Sequence, residues 1–295
     1  MIAIQYAFIG SSFALAALYL VFPALLSLNI QLMILGILIV FLGLPHGALD
    51  PWIAKKIGLV SKINSSWKFN FGYFCAALAV VVLWSFFPVF SLLMFLIISS
   101  WHFSGDWAKQ MPLFQRIGMG ALVLLLPIGW HPNEVVVLFE YLSGPDGAEL
   151  AHQLAVPAGL LASCSVGLSF FALLRKNWMT AFECIAFLAL AITTPPLVYF
   201  VIYFCLRHSP QHLFELLTLA SPQEQKRLRW TIPGYTLLTL IPVGLLGLWW
   251  SSLPSEALLM RVIFIGLAAL TVPHMALIEW FKYCTTNPST INIPR

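Results

Sequence analysis

The sequence predicts an all-α fold: a polytopic transmembrane helical bundle of about ten spans, eight at the fewest, with both termini cytoplasmic. Residues 1–295 read as a single integral membrane domain. Three observations carry this reading. Of the 295 residues, 60% are hydrophobic and only 9% charged, with mean hydropathy +0.91. A soluble domain carries roughly 25% charged residues, so this composition cannot build a solvated surface. It equally excludes a coiled coil, a disordered chain and a nucleic-acid binder. The apolar residues fall in runs near the length of about 20 residues that spans a bilayer. Those runs lack the alternation of a barrel strand, which leaves helices, whose backbone groups are satisfied internally.

The first run, 3–22, has nothing basic before it and no clear small-residue cleavage site after it, so it reads as a retained span. The second covers 28–49. Further runs fall at 69–87, 89–108, 114–130, 155–174, 178–195, 196–217, 231–250 and 257–281, with Pro195-Pro196 alone dividing the seventh from the eighth. Basic residues test the count. Lys55, Lys56, Lys62 and Lys68 follow span two, Lys109 and Arg116 span four, and Arg175 and Lys176 span six. Lys226, Arg227 and Arg229 follow span eight, and Lys282 and Arg295 span ten. Thirteen of the 15 basic residues thus lie beyond even-numbered spans, Arg207 and Arg261 being the exceptions. The longest opposite loop, 131–154, carries Glu134, Glu140, Asp146 and Glu149 and no Lys or Arg. By the positive-inside rule both ends face the cytoplasm, and the net charge of +4 is a topology signal. The chain is expected in the inner cell membrane. Cys75, Cys164, Cys184, Cys205 and Cys284 show no CxxC or ribbon spacing, so they read as small buried hydrophobes.

Of seven histidines, His131 and His152 lie in or beside the acidic loop. The other five, His46, His102, His208, His212 and His274, lie within even-numbered spans. His46 precedes Lys55 by nine residues, His102 precedes Lys109 by seven and His274 precedes Lys282 by eight. At about 1.5 Å per residue, four helices therefore deliver imidazoles to a similar depth in the inner half of the membrane. A single such histidine is more often a helix–helix hydrogen-bonding contact. Ionisable groups in lipid are costly and mark functional interiors, and five at one level point to a shared site, most simply a metal. His208 and His212 stand four apart, which places both rings on one helix face, with Pro210 between them to adjust the bite.

Carboxylates follow the histidines. Asp50 comes four after His46, Asp106 four after His102, Glu215 three after His212 and Glu279 five after His274. Asp50, Asp106 and Glu215 fit hydrogen-bonded support of ligating imidazoles; pairing with interfacial Lys or Arg is the competing expectation, of equal weight for Asp106 and Glu279. The segments Gly43-Leu44-Pro45-His46-Gly47 and Trp101-His102-Phe103-Ser104-Gly105 suit broken helix ends lining a cavity, or close helix packing. Trp101, Phe103, Tyr203, Phe204 and Trp280 border the site and are consistent with an apolar substrate pocket, which we assign to the first four.

Imidazole suits Zn, Cu, Fe and Ni alike. HExxH is absent, five histidines are too few for a di-iron desaturase, and haem would use only two. A mononuclear iron with four histidines and an open position for O2 fits the count. The motifs Gly43-Leu44-Pro45-His46-Gly47-Ala48-Leu49-Asp50, Ser100-Trp101-His102-Phe103-Ser104-Gly105-Asp106, Arg207-His208-Ser209-Pro210-Gln211-His212 and Pro273-His274 resemble those of the Brp/Blh family. These are bacterial and archaeal membrane β-carotene dioxygenases associated with retinal-binding rhodopsins. The resemblance runs in the same motif order from span two to span ten. It implies an Fe(2+) enzyme that cleaves the central double bond of β-carotene with O2 into two retinals, with a functional link to a rhodopsin. It maps the essential histidines onto His46, His102, His208 and His212, and leaves His274 as a catalytic or cavity residue. It also implies fewer spans than ten.

The chemistry agrees. A polyene dissolves in the bilayer, cleavage to two aldehydes needs no external reductant, and no GxGxxG or flavin fingerprint is present. Other expectations are a membrane haem-binding electron carrier or transporter using the intramembrane histidines, and a carotenoid-binding chaperone without chemistry.

Overall fold

A computed structural model describes residues 2–60 and 63–286, all helix and connecting loop; Lys62 and Arg295, used in the charge argument above, lie outside them. The helices are α1 Ile2–Val21, α2 Leu28–Lys56, α3 Ile63–Phe86, α4 Pro88–Trp107, α5 Leu113–Trp130 and α6 Pro132–Ser143. They continue with α7 Pro145–Leu174, α8 Trp178–Thr193, α9 over 196–218, α10 Pro222–Trp249 and α11 Ser255–Thr286. Eight helices among the described residues are long and apolar enough to cross a membrane. The chain is an integral, multi-pass membrane protein.

The other two expected spans, α8 and α9, differ in kind. α8 is apolar but only 16 residues long. α9 runs as α-helix, π turn and α-helix, and each of its first eight residues, Pro196 to Tyr203, is buried. A helix hydrophobic all round belongs inside a bundle rather than against lipid, and α9 is an interior helix packed on α1, α2, α5 and α8. The acidic loop departs from expectation too. It is helical, because Pro132 and Pro145 sit at first-turn positions where a missing N–H does no harm. The break between α6 and α7 falls at Gly144, whose φ of 73° favours glycine.

Two apolar clusters form the interior. The larger runs through α1 to α9 and α11. The smaller joins Leu49, Ile53, Leu216, Leu277 and neighbours near one end. His46, His212 and His274 lie a few residues before members of the smaller cluster, so the histidine layer falls where the two meet. Basic residues gather at this same end: Lys109 pairs with Glu215 at 3.1 Å, the Lys56 ammonium donates to the Leu219 carbonyl, and Lys282 pairs with Glu279 at 2.6 Å.

Without a hydrophobic drive between helices in lipid, close approach of small residues holds the bundle. Gly120 lets α5 lie directly on α4. A Cβ there would stand 2.8 Å from the Ser104 nitrogen and closer still to the Ser100 carbonyl. Both are backbone atoms of the turn that carries His102. Gly120→Ala is therefore expected to lower stability by about 1–3 kcal/mol, as overpacking does; thermal unfolding in detergent checks it.

Candidate metal centre

Two helix distortions build the site. In α2 a π turn over Ile39–Gly43 leads into a 3-10 turn over Leu44–Leu49 that carries His46. In α9 a π turn over Phe204–His208 carries His208. Each widened turn stands within two residues of a proline, Pro45 or Pro210. A proline ring clashes with the carbonyl four residues back and removes one donor, and widening the preceding turn relieves the clash. π turns of this kind recur at functional sites. The carbonyls released in α2 find partners across the gap. The Ser209 hydroxyl donates to the Leu42 carbonyl, and to that of Gly43 at 3.1 Å. Gly43 itself is needed for the approach, since a Cβ would stand 2.6 Å from Phe204 Cε1.

All five membrane histidines meet. Ring centroids are 5.3 Å apart for His46 and His208, 4.8 Å for His102 and His208, and 5.6 Å for His46 and His212. His274 stands 5.1 Å from His46 and 5.4 Å from His102. His46, His102 and His208 offer nitrogen atoms within 4.8 Å of one another. His131 lies apart, beside Glu134 at 3.1 Å, and His152 is exposed.

Hydrogen bonds fix the ring orientations. His46 Nδ1 donates to the Gly43 carbonyl at 2.5 Å. His208 Nδ1 faces both oxygens of Asp106 at 3.1 and 3.2 Å, and His274 Nδ1 both oxygens of Asp50 at 2.8 and 3.0 Å. Carbonyls and carboxylates accept only, so these three rings carry hydrogen on Nδ1 and, as neutral imidazoles, present a lone pair on Nε2. The support crosses between helices. Asp50 serves His274 rather than His46 four residues before it, and Asp106 serves His208 rather than His102. Each carboxylate also accepts from a tyrosine: Tyr73 donates to Asp50 at 2.8 Å and Tyr203 to Asp106 at 2.7 Å. Gln211 donates to the Asp106 carbonyl at 3.1 Å.

Glu215 stands elsewhere, half-exposed in its ion pair with Lys109, and Glu279 pairs with Lys282. Both take the interfacial pairing weighed above. Among the aromatics, Phe103, Tyr203 and Phe204 are buried against the cluster, with Phe103 4.8 Å and Phe204 5.7 Å from the His208 ring. Trp101 is 44% exposed, and Trp280 49%. Trp280 lines a groove of about 540 Å³ between α3 and α11, together with Phe69, Gly72, Tyr73, Ala76 and Pro273.

The residues present fit a divalent cation. The Nε2 atoms of His212 and His274 are buried without a hydrogen-bond partner, and the Nε2 atoms of His102 and His208 face each other at 3.1 Å. Inward lone pairs at this spacing repel unless a proton or a cation lies among them. Imidazoles whose second nitrogen donates to a carboxylate or carbonyl are the usual form of a histidine ligand. Charge agrees as well. Asp50 and Asp106 are buried, no lysine or arginine among the described residues pairs with them, and the nearby buried Arg207 is matched by Glu183 at 2.6 Å. Beside neutral imidazoles these buried carboxylates leave negative charge that a cation within the cluster would offset.

Sequence reasoning passed over that last pair. Glu183 also accepts from Trp107 Nε1 at 3.0 Å, and the Arg207 guanidinium lies 5.5 Å from the Trp107 ring centroid. The available signal was the one acidic residue in run seven, Glu183, and the one lysine or arginine in run eight, Arg207.

Comparison with known proteins places this arrangement. Residues 37–282, which include all five membrane histidines, match the family model described as beta-carotene 15,15'-dioxygenase. The chain belongs to the β-carotene 15,15'-dioxygenase family. It is 34% identical over 258 residues to a beta-carotene 15,15'-dioxygenase from uncultured marine bacterium 66A03, covering 82% of this chain and 91% of that protein. No solved structure matches the chain. Family membership together with the three-histidine cluster makes the protein a metal-dependent enzyme of carotenoid dioxygenase type.

Proposed function

We propose that the protein cleaves the central double bond of β-carotene with O2 to give two molecules of retinal, as in the Brp/Blh branch, with Fe(2+) held by His46, His102, His208 and His212. The observation that carries the reading is the cluster of imidazoles with Nδ1–H bonded outward and Nε2 turned inward, in a chain of this family. When bound, iron(II) would supply the redox chemistry that lets O2 react with a closed-shell alkene. The chain's residues do the rest. Gly43 and Asp106 orient two of the rings, and Tyr203 holds Asp106 in place. Phe103 and Phe204 keep water from the His208 side, and with Tyr203 and the more exposed Trp101 they form the wall along which a rigid polyene is aligned. The groove between α3 and α11 is lined mostly by apolar residues and suits the entry of such a substrate from the bilayer, and Tyr73 links its wall to Asp50. Position along the wall decides which double bond meets the centre.

The haem reading finds less support, since five rings at 4.8–6.4 Å centroid spacing leave no planar gap for a macrocycle among them. Expression in cells that make β-carotene tests the proposal. Retinal is the expected product, formed in air and not under anaerobic conditions. Unchanged β-carotene, co-purified without conversion, would favour the carrier reading, and longer or unequal aldehydes would displace central cleavage.

A further inference from the structure

His274 has no task in the four-ligand reading, yet its surroundings are those of a ligand. Its ring stands 5.1 Å from His46, 5.4 Å from His102 and 5.3 Å from His212. Its Nδ1 donates to Asp50, which in the neutral imidazole leaves Nε2 with a lone pair and no hydrogen. In that state His274 cannot donate a hydrogen bond to a bound oxygen species, one of the roles open to a fifth cavity residue. Nε2 is buried and lacks a hydrogen-bond partner. A buried acceptor without a donor is unfavourable, and a cation within the cluster would satisfy it.

The support behind the ring is also that of His208. His208 Nδ1 rests on Asp106, which accepts from the Tyr203 hydroxyl; His274 Nδ1 rests on Asp50, which accepts from the Tyr73 hydroxyl. The Tyr73 hydroxyl is fixed in turn between Asp50 and the Leu270 carbonyl, 3.2 Å away. Two imidazole–carboxylate–phenol chains, built from different helices, thus approach one cluster. We infer that His274 Nε2 is a donor atom of the metal centre, equivalent in construction to His208, with Asp50 and Tyr73 as its positioning residues. The inference rests on the metal-centre reading above and extends it to a fifth imidazole.

Cobalt(II) titration of the purified, metal-stripped full chain, followed by visible absorption, tests it. His274→Asn is the informative variant: its amide nitrogen can still donate to Asp50, while the atom in the place of Nε2 is gone. It should bind Co(2+) at least ten- to a hundredfold more weakly, the range reached even by changes behind the ligands, and with an altered absorption spectrum. His274→Ala should lose at least as much, and it reads the same quantity if the asparagine variant does not fold. Tyr73→Phe leaves all five rings in place and should give a smaller, severalfold loss. Wild-type affinity and spectrum in His274→Asn, with both lost in His208→Asn, would overturn the inference and leave the four-ligand centre standing. Wild-type behaviour in both would remove the centre itself.

Discussion

On the proposed function, replacing His102 with alanine should abolish retinal formation in β-carotene-producing cells, a fall of well over a hundredfold if loss of a ligand exceeds the 10–100-fold effect of its supports. His102 is half-buried, its Nε2 lies 3.1 Å from that of His208, and it belongs to the tightest trio of the cluster. Removing it takes one of three close donors and opens the side of the cluster toward α4. Asp106→Asn should give a graded result. The amide keeps an acceptor for Tyr203 but loses the charge behind His208, so a fall of about 10–100-fold is expected. Product analysis against expression level measures both. Wild-type retinal yield from His102→Ala would remove that residue from the ligand set.

Glu183→Ala should produce the largest loss of stability in the molecule, about 3–5 kcal/mol, because it strands a fully buried guanidinium. The pair is 0% and 1% exposed, and two guanidinium nitrogens of Arg207 already lack partners. Glu183→Gln should cost less, since it retains an acceptor for Arg207 Nε or Trp107. The double change Glu183→Leu, Arg207→Met should recover much of the loss, since an apolar pair of similar volume needs no compensation. Thermal unfolding of the four proteins in detergent reads this ordering. Equal melting of Glu183→Ala and wild type would show that the charge is met by another route.

The spans were legible because composition and length decide them, and the five-histidine layer because distance to the next basic residue is a measure of depth. The carboxylates were legible as companions of the histidines but not in their pairings. Spacing along one helix suggested Asp50 with His46 and Asp106 with His102, whereas the bonds run to His274 and His208 on other helices. Sequence distance carries no record of which helix faces which. The π turns were equally hidden: Pro45 and Pro210 signal a break, but only packing decides whether the turn widens or kinks. Glu215 likewise turns away from His212 to Lys109 in another segment, a pairing that its spacing along the helix does not record.

The bond between Asp50 and His274 joins residues 224 positions apart. During synthesis the second helix must therefore enter the bilayer long before the imidazole that receives its carboxylate has been translated. Until α11 docks, Asp50 has only Tyr73 and whatever water or proton the nascent chain retains, and an isolated carboxylate is unwelcome in lipid. Assembly of the cluster consequently waits on insertion of α11, and truncation of that helix would leave an earlier part of the chain carrying an unmatched acid.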